Sequence, residues 1–135
     1  MRCAYASRLA RARRRDLSHS EFPDSSTGPL AVARAYLGRG NFTGFHEAWC
    51  ADALRVWLRQ SGHSIAGTDH RAISFARYGR PTSPHVGAIG VERHHVGLIA
   101  AVRGDRVILL SANHAGKVAL GVYPLRRIIA FREPV

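Results

Sequence analysis

The fold is decided by residues 85–133, HVGAIGVERHHVGLIAAVRGDRVILLSANHAGKVALGVYPLRRIIAFRE. Short runs rich in Val, Ile and Leu alternate here with Gly, Asp, Asn and Pro, a pattern typical of strands joined by tight turns. The pattern predicts a five-stranded antiparallel sheet, with strands in HVGAIGVE, HHVGLIAAV, RVILLSAN, KVALGVY and RIIAFRE.

Helical patterns precede these strands. The segment PLAVARAYLG, residues 29–38, begins with proline at the first helical position and ends at a glycine, as short helices often do. In WCADALRVWLRQSGH, residues 49–63, apolar side chains recur at helical spacing from Cys50 onward, and Asp52 falls on the opposite side. A third helix is expected over residues 69–78. Helices followed by a meander of strands predict an α+β domain with the helices on one side of the sheet.

Positive charge is concentrated at the start of the chain. The 135 residues carry 20 Lys+Arg against 9 Asp+Glu, a formal net charge of +11, and six arginines lie in residues 1–15. A segment rich in Ser, Asp, Pro and Gly follows, so we predict a disordered arm over residues 1–28 and one domain over residues 29–135. The charge suits an anionic partner, but no aromatic residues alternate with the arginines to stack on nucleic-acid bases.

The sequence argues against a membrane span, an export signal and a metal site. No stretch approaches the roughly 18 consecutive apolar residues of a membrane-spanning helix. The basic start lacks the apolar run and the small-residue cleavage site of a signal peptide. Cys3 and Cys50 are too few for a disulfide framework, and neither Cys-x-x-Cys nor His-Glu-x-x-His spacing is present. We therefore expect no metal and no other cofactor.

Cys50 opens the apolar stripe of the second helix and is the first candidate for chemistry. At a helix start, unpaired backbone N–H groups and the helix dipole stabilise a thiolate and lower the pKa of the thiol below about 8.5. The alternative is structural, because cysteine is among the most commonly buried residues and fills a core as a small apolar side chain.

A histidine on the following strand strengthens the reactive interpretation. Alternation puts His95 and Gly97 on one face, and the missing side chain of Gly97 leaves space for a helix end to approach the imidazole. If residues 103–105 form a three-residue loop, His95 faces Asn113, whose amide oxygen would fix the histidine tautomer. With a two-residue loop His95 would instead meet His114, and a bulge would also change the register.

The runs AYLGRGNFTGFHEAWCADALRVWLRQSGH, HVGAIGV, HHVGLIAAV and SANHAG resemble the CHAP and NlpC-type cysteine amidohydrolase/peptidase superfamily. The resemblance is strongest to small bacterial members in which a Trp-Cys pair opens a helix, and it covers about residues 29–134. Its most specific parts are Trp49-Cys50, the small-residue strand 87–90 and His95-Val96-Gly97. One departure is His94, at a position where such proteins often have glycine.

The resemblance implies a fold, an activity and three site residues. The fold would be papain-like, with Cys50 as nucleophile, His95 as general base and acid, and Asn113 as the residue that orients the histidine. The implied substrates are amide bonds in peptidoglycan stem peptides, and the implied location is the periplasm or the outside of the cell. Asn41, in the glycine-rich loop before Cys50, is a candidate second donor to the oxyanion, with a plain turn residue as the alternative.

A binding module is the rival interpretation of the sequence. A hydrolase fold can persist after activity is lost, and the net positive charge would suit an anionic cell wall or nucleic acid. Nucleic acid is the less favoured of these partners, and a monomer is assumed. The two interpretations differ in whether the protein breaks amide bonds or only binds the polymer that contains them.

Overall fold

A six-stranded antiparallel sheet forms the centre of the computed structural model, which describes residues 28–135. The predicted arm at residues 1–28 therefore lies outside the described residues, except for Gly28. The strands follow the spatial order β1-β6-β2-β3-β4-β5. They are β1 (Arg80–Pro81), β2 (Ile89–Val91), β3 (Val96–Arg103), β4 (Arg106–His114), β5 (Lys117–Pro124) and β6 (Ala130–Glu133).

The sheet has one strand more than the five that the sequence predicts. The additional strand, β1, has only two residues, and it lies at the edge of the sheet, where it pairs with β6. The preceding Gly79 has φ +61, and a Cβ atom there would lie 2.1 Å from the backbone oxygen of Glu133. Glycine thus allows β1 to approach β6. A two-residue strand that contains proline has no alternation for a sequence pattern to detect.

Three helical segments pack against the sheet from one side. The α-helices are α1 (Pro29–Arg34) and α2 (Cys50–Gln60). The third is a 3-10 helix, Ala72–Arg77, shorter than the helix expected over residues 69–78. A second 3-10 helix, Leu125–Arg127, connects β5 to β6. Within residues 28–135, none of the helices has the length and apolar character needed to cross a membrane.

The two faces of the sheet bury different clusters of side chains. The larger cluster lies between the helices and the sheet, and it includes Trp57 and Phe75 with Leu98 and Leu110 of the central strands. The neighbouring residues in β3 and β4 point to the other face, where a second cluster comprises Ala88, Ile99, Val107, Leu109, Tyr123 and Ile128. The helices on one side of an antiparallel sheet confirm the predicted α+β class.

The β3–β4 hairpin has a two-residue loop, which is the second of the two alternatives that the sequence leaves open. Arg103 pairs with Arg106 across the turn, but a bulge between Ile99 and Ala101 shifts the register by one residue. Beyond the bulge Ile99 pairs with Leu109, which is the pairing that a three-residue loop would have produced. The bulge therefore restores, near His95, the register that the turn itself does not provide.

Candidate active site at the start of the Cys50 helix

Cys50 is the first residue of α2 and is only 3% exposed. The helix begins here because the carbonyl oxygen of Trp49 accepts the N–H of Ala53 at 2.9 Å. The Trp49 ring is buried and packs edge-on against Phe42, with ring centroids 5.8 Å apart. The position of the thiol is thus fixed by an aromatic contact immediately before it.

Burial raises the pKa of the Cys50 thiol, so the predicted lowering is wrong for this structure. The backbone N–H groups of Val96, Ala51 and Cys50 itself lie against the sulfur and oppose the rise, but desolvation outweighs them. The negative charge of Asp52 raises the pKa further. The thiol is therefore protonated in the free protein at neutral pH, and a thiolate must be generated by a base.

His95 lies directly before β3 and is held by two contacts. Its Nε2 atom is 2.7 Å from the hydroxyl oxygen of Ser111, and its ring stacks on Tyr123 with centroids 5.5 Å apart. Burial lowers the pKa of His95 to about 4, with a smaller contribution from the nearby His114. The imidazole is consequently neutral at pH 7, the state in which it can accept a proton.

The structure brings Cys50 and His95 to the same strand end without joining them by a hydrogen bond. One of the N–H groups that reach the Cys50 sulfur belongs to Val96, the residue that follows His95. Val96 and Cys50 both belong to the cluster under the helices, whereas the imidazole lies against Ser111 and Tyr123.

Gly97 allows β4, and not the start of α2, to lie close to β3. The role that the sequence predicts for this glycine is therefore wrong. A Cβ atom at this position would lie 2.7 Å from Cβ of Ser111 and 2.9 Å from the carbonyl oxygen of Leu110, both in β4. These distances are too short for any residue with a side chain. Gly97 thus lets β4 approach β3 at the level of the contact between His95 and Ser111.

Asn113 does not occupy the orienting position that the sequence predicts for it. It is exposed and has φ +58, in a part of β4 where the pairing with β5 is irregular between Ser111 and His114. Among the described residues, Ser111 and not Asn113 holds the imidazole of His95. Sequence reasoning missed Ser111, although alternation places it on the same face as Asn113, two residues away.

Asp52 is buried, although helical spacing predicts it on the solvent-facing side of α2. It is 3% exposed, and its Oδ1 atom lies 2.5 Å from Nδ1 of His70. The ring of Phe45 packs on His70 with centroids 4.3 Å apart. Segments on both sides of α2 therefore cover a carboxylate two residues from Cys50, a contact that helical periodicity alone does not predict.

Asn41 is engaged inside its own loop. Its side-chain oxygen accepts the backbone N–H of Thr43 at 2.9 Å, and its side-chain nitrogen donates to the carbonyl oxygen of Phe45. Because both ends of the amide are held by Thr43 and Phe45 of the same loop, the structure favours the turn role over an oxyanion donor. Among residues 28–135, no group of three or more His, Cys, Asp and Glu side chains is arranged to hold a metal ion.

A cavity of about 950 Å³ opens beside His95. Asn113, His114 and Tyr123 also line it, so the structure places two of the three predicted site residues on one cavity. Four arginines and two carboxylates complete its charged lining: Arg93, Arg106, Arg126, Arg127, Glu92 and Asp105. Cys50 does not contribute to this lining.

Comparison with known proteins supports the fold. No family model and no curated protein matches the sequence. The crystal structure of Ly7917 is similar, with a TM-score of 0.54 at 17% sequence identity. The similarity covers 78% of this chain and 61% of the Ly7917 chain. At such low identity, the likeness concerns the α+β architecture only.

Proposed function

We propose that the protein is a cysteine amidohydrolase or endopeptidase in which Cys50 is the nucleophile and His95 the general base. The observation that carries the proposal is the arrangement around the start of β3. The Cys50 sulfur, at the first turn of α2, receives the N–H of Val96, and the preceding residue is a half-buried histidine that is neutral at pH 7. A thiol at a helix start and a neutral imidazole at the adjoining strand end are the two groups that acyl transfer requires.

The first chemical step moves one proton and forms one bond. In the proposed first step His95 takes the proton of the Cys50 thiol. Its imidazole contacts Ser111 and Tyr123 in the free protein, so the ring must turn towards the sulfur for this transfer. The sulfur then attacks the carbonyl carbon of the amide, and the backbone N–H of Cys50 stabilises the oxyanion of the tetrahedral intermediate. Ser111 acts here as a positioning residue, because it holds the neutral imidazole in its resting orientation.

The second step releases both products. The protonated His95 donates its proton to the amide nitrogen, the C–N bond breaks, and an amine leaves while a thioester remains on Cys50. Water, deprotonated by His95, then attacks the thioester, and a carboxylic acid leaves as the thiol is restored. A neutral resting pair suits this sequence, since neither group is ionised before the substrate arrives.

The substrate class and the detailed fold belong to the same proposal. The proposed substrates are peptide amides of peptidoglycan, which follow from the resemblance of the Trp49-Cys50 and His95-Val96-Gly97 motifs to cell-wall amidohydrolases. The proposed fold is papain-like, and the proposed site of action is the periplasm or the cell exterior. The helices on one side of an antiparallel sheet, with Cys50 at a helix start, are compatible with it.

Digestion of purified peptidoglycan tests the proposal. Wild-type protein, Cys50→Ala and His95→Gln are incubated with sacculi, and new amino termini and fragment masses are read by mass spectrometry. We expect fragments from the wild type and none from either variant, with Cys3→Ala as the matched control that retains activity. Fragments from Cys50→Ala, or none from the wild type, would refute the assignment.

An inactive binding module is the second candidate, and the burial of the thiol favours it. Cys50 is 3% exposed, its pKa is raised, and it does not line the arginine-rich cavity. In that case wild type and Cys50→Ala would sediment equally with sacculi and would release no new termini. The digestion experiment therefore separates the two functions.

A further inference from the structure

We infer that the cavity beside His95 binds a carboxylate-bearing peptide, and that Arg93 and Arg126 recognise its acidic group. The inference goes beyond the proposed function, because the cavity is lined by His95 but not by Cys50. It starts from the charges that line the cavity, which the proposed chemistry at Cys50 does not use.

Two of the four arginines of the cavity are already paired. Nε of Arg127 lies 3.1 Å from Oε2 of the buried Glu92, and Nε of Arg106 lies 3.8 Å from Oδ1 of Asp105. Counting the arginines and the carboxylates alone, four against two leave a surplus of two positive charges.

Arg93 and Arg126 carry that surplus. Both are exposed, and neither forms an ion pair with another residue of the described part of the chain. Arg93 lies in the turn between β2 and β3, and Arg126 in the 3-10 helix Leu125–Arg127, so two separate elements present them to one cavity. A guanidinium group presents a planar pair of N–H donors that matches the two oxygens of a carboxylate.

The other lining groups favour a peptide over a nucleic acid. A continuous phosphate backbone needs a row of available cations, and Glu92 and Asp105 pair with two of the four arginines of the cavity. Tyr123 is 9% exposed and its ring is stacked on His95, so it offers little free surface on which a base could stack. The exposed amide of Asn113 both donates and accepts hydrogen bonds, as a peptide backbone requires.

The cavity shares one residue with the proposed reaction. His95 belongs both to its lining and to the proposed catalytic pair, whereas Cys50 does not line it. A peptide anchored through an acidic side chain or a terminal carboxylate would therefore contact the imidazole and not the thiol.

Binding is measured in the Cys50→Ala protein, so that the peptide is not consumed. Fluorescence anisotropy compares two labelled peptides. One is Ala-Glu-Ala-Glu-Ala, and the other is Ala-Gln-Ala-Gln-Ala with an amidated carboxyl terminus. We expect the acidic peptide to bind about tenfold more tightly, the size expected for two exposed charge-assisted contacts. Adding Arg93→Gln and Arg126→Gln should abolish that difference and leave the binding of the amidated Gln peptide unchanged.

A second pair of substitutions controls for net charge. Arg59→Gln with Arg77→Gln removes the same charge from two exposed arginines that do not line the cavity, and we expect less than about a twofold change. Equal affinity for the two peptides, or equal weakening by both pairs, would overturn the inference. The inference would also be overturned if a single-stranded oligonucleotide bound more tightly than the acidic peptide and if that binding depended on Arg93 and Arg126.

The outcomes distinguish this inference from the proposed function. Selective, arginine-dependent binding without hydrolysis by the wild type would refute the enzyme and retain the acidic-peptide site. Hydrolysis by the wild type, together with equal binding of the two peptides by the Cys50→Ala protein, would retain the enzyme and refute the site.

Discussion

The burial of His95 makes the stability of the protein depend on pH between about 4 and 6.5. The pKa of this histidine is lowered from 6.5 to about 4 in the folded chain, because desolvation disfavours the charged imidazole. As the pH falls from 6.5, the unfolded chain binds a proton at this residue and the folded chain does not. Stability that is fully present above pH 6.5 is therefore lost progressively towards pH 4.

The size of the loss follows from the two pKa values. The difference between 6.5 and about 4 corresponds to about 3 kcal/mol in the free energy of unfolding, reached near pH 4. This is a large part of the total stability of a domain of this size. Asp69 does not obscure the effect, because Arg71 lowers the pKa of its carboxyl group to about 2 and it titrates in a more acidic range.

Urea denaturation at pH 7, 5.5 and 4 measures the effect through the fluorescence of Trp49 and Trp57. The test variant is His95→Gln, which retains an amide that can hydrogen bond to Ser111 but does not titrate. The control is His94→Gln at the exposed neighbour. We expect the wild type and the control to lose about 3 kcal/mol more than His95→Gln between pH 7 and pH 4. Parallel pH profiles for all three proteins would refute the burial argument.

Three further predictions concern the residues around the same strand. Ser111→Ala should lower kcat about tenfold with little change in KM, because the imidazole of His95 loses the hydroxyl group that holds it. Asn113→Ala should lower kcat less. Equal losses of kcat in the two variants would support Asn113 as the residue that orients His95. Gly97→Ala should lower the free energy of unfolding by about 2 kcal/mol, because the added Cβ atom would lie 2.7 Å from Cβ of Ser111. Gly40→Ala places its Cβ atom in open space and should change the free energy of unfolding little. In a Cys3→Ala background, iodoacetamide at pH 7 should label Cys50 more slowly in the folded protein than in urea, and faster labelling in the folded protein would contradict the raised pKa.

The sequence predicts the strands β2 to β6 and the start of α2 because these depend on local periodicity. Cys50 begins the apolar stripe of its helix, and the structure confirms this position. The two-residue strand β1 is set by its pairing with β6, which is distant in the chain, and no local pattern encodes that pairing.

The errors in the site have a common physical cause. The buried Asp52 contacts His70, from a segment after the helix, and Phe45, from a segment before it, packs on that histidine. Asn113 lies where the β4–β5 pairing is irregular, and Ser111 takes the contact with His95. In each case a long-range contact or a local irregularity decides which side chain reaches the site, while periodicity supplies only the candidates.

The separation of the two side-chain clusters by the sheet has a consequence for engineering. The thiol belongs to the cluster beneath the helices, which supplies most of the buried apolar surface, while the imidazole and the arginine-lined cavity lie with the smaller cluster on the other face. Exposed residues such as Arg93 and Arg126 can therefore be exchanged without disturbing the packing that holds the chain together. A library at these positions can accordingly test and vary the inferred selectivity for acidic peptides while the thermal stability of the parent is retained.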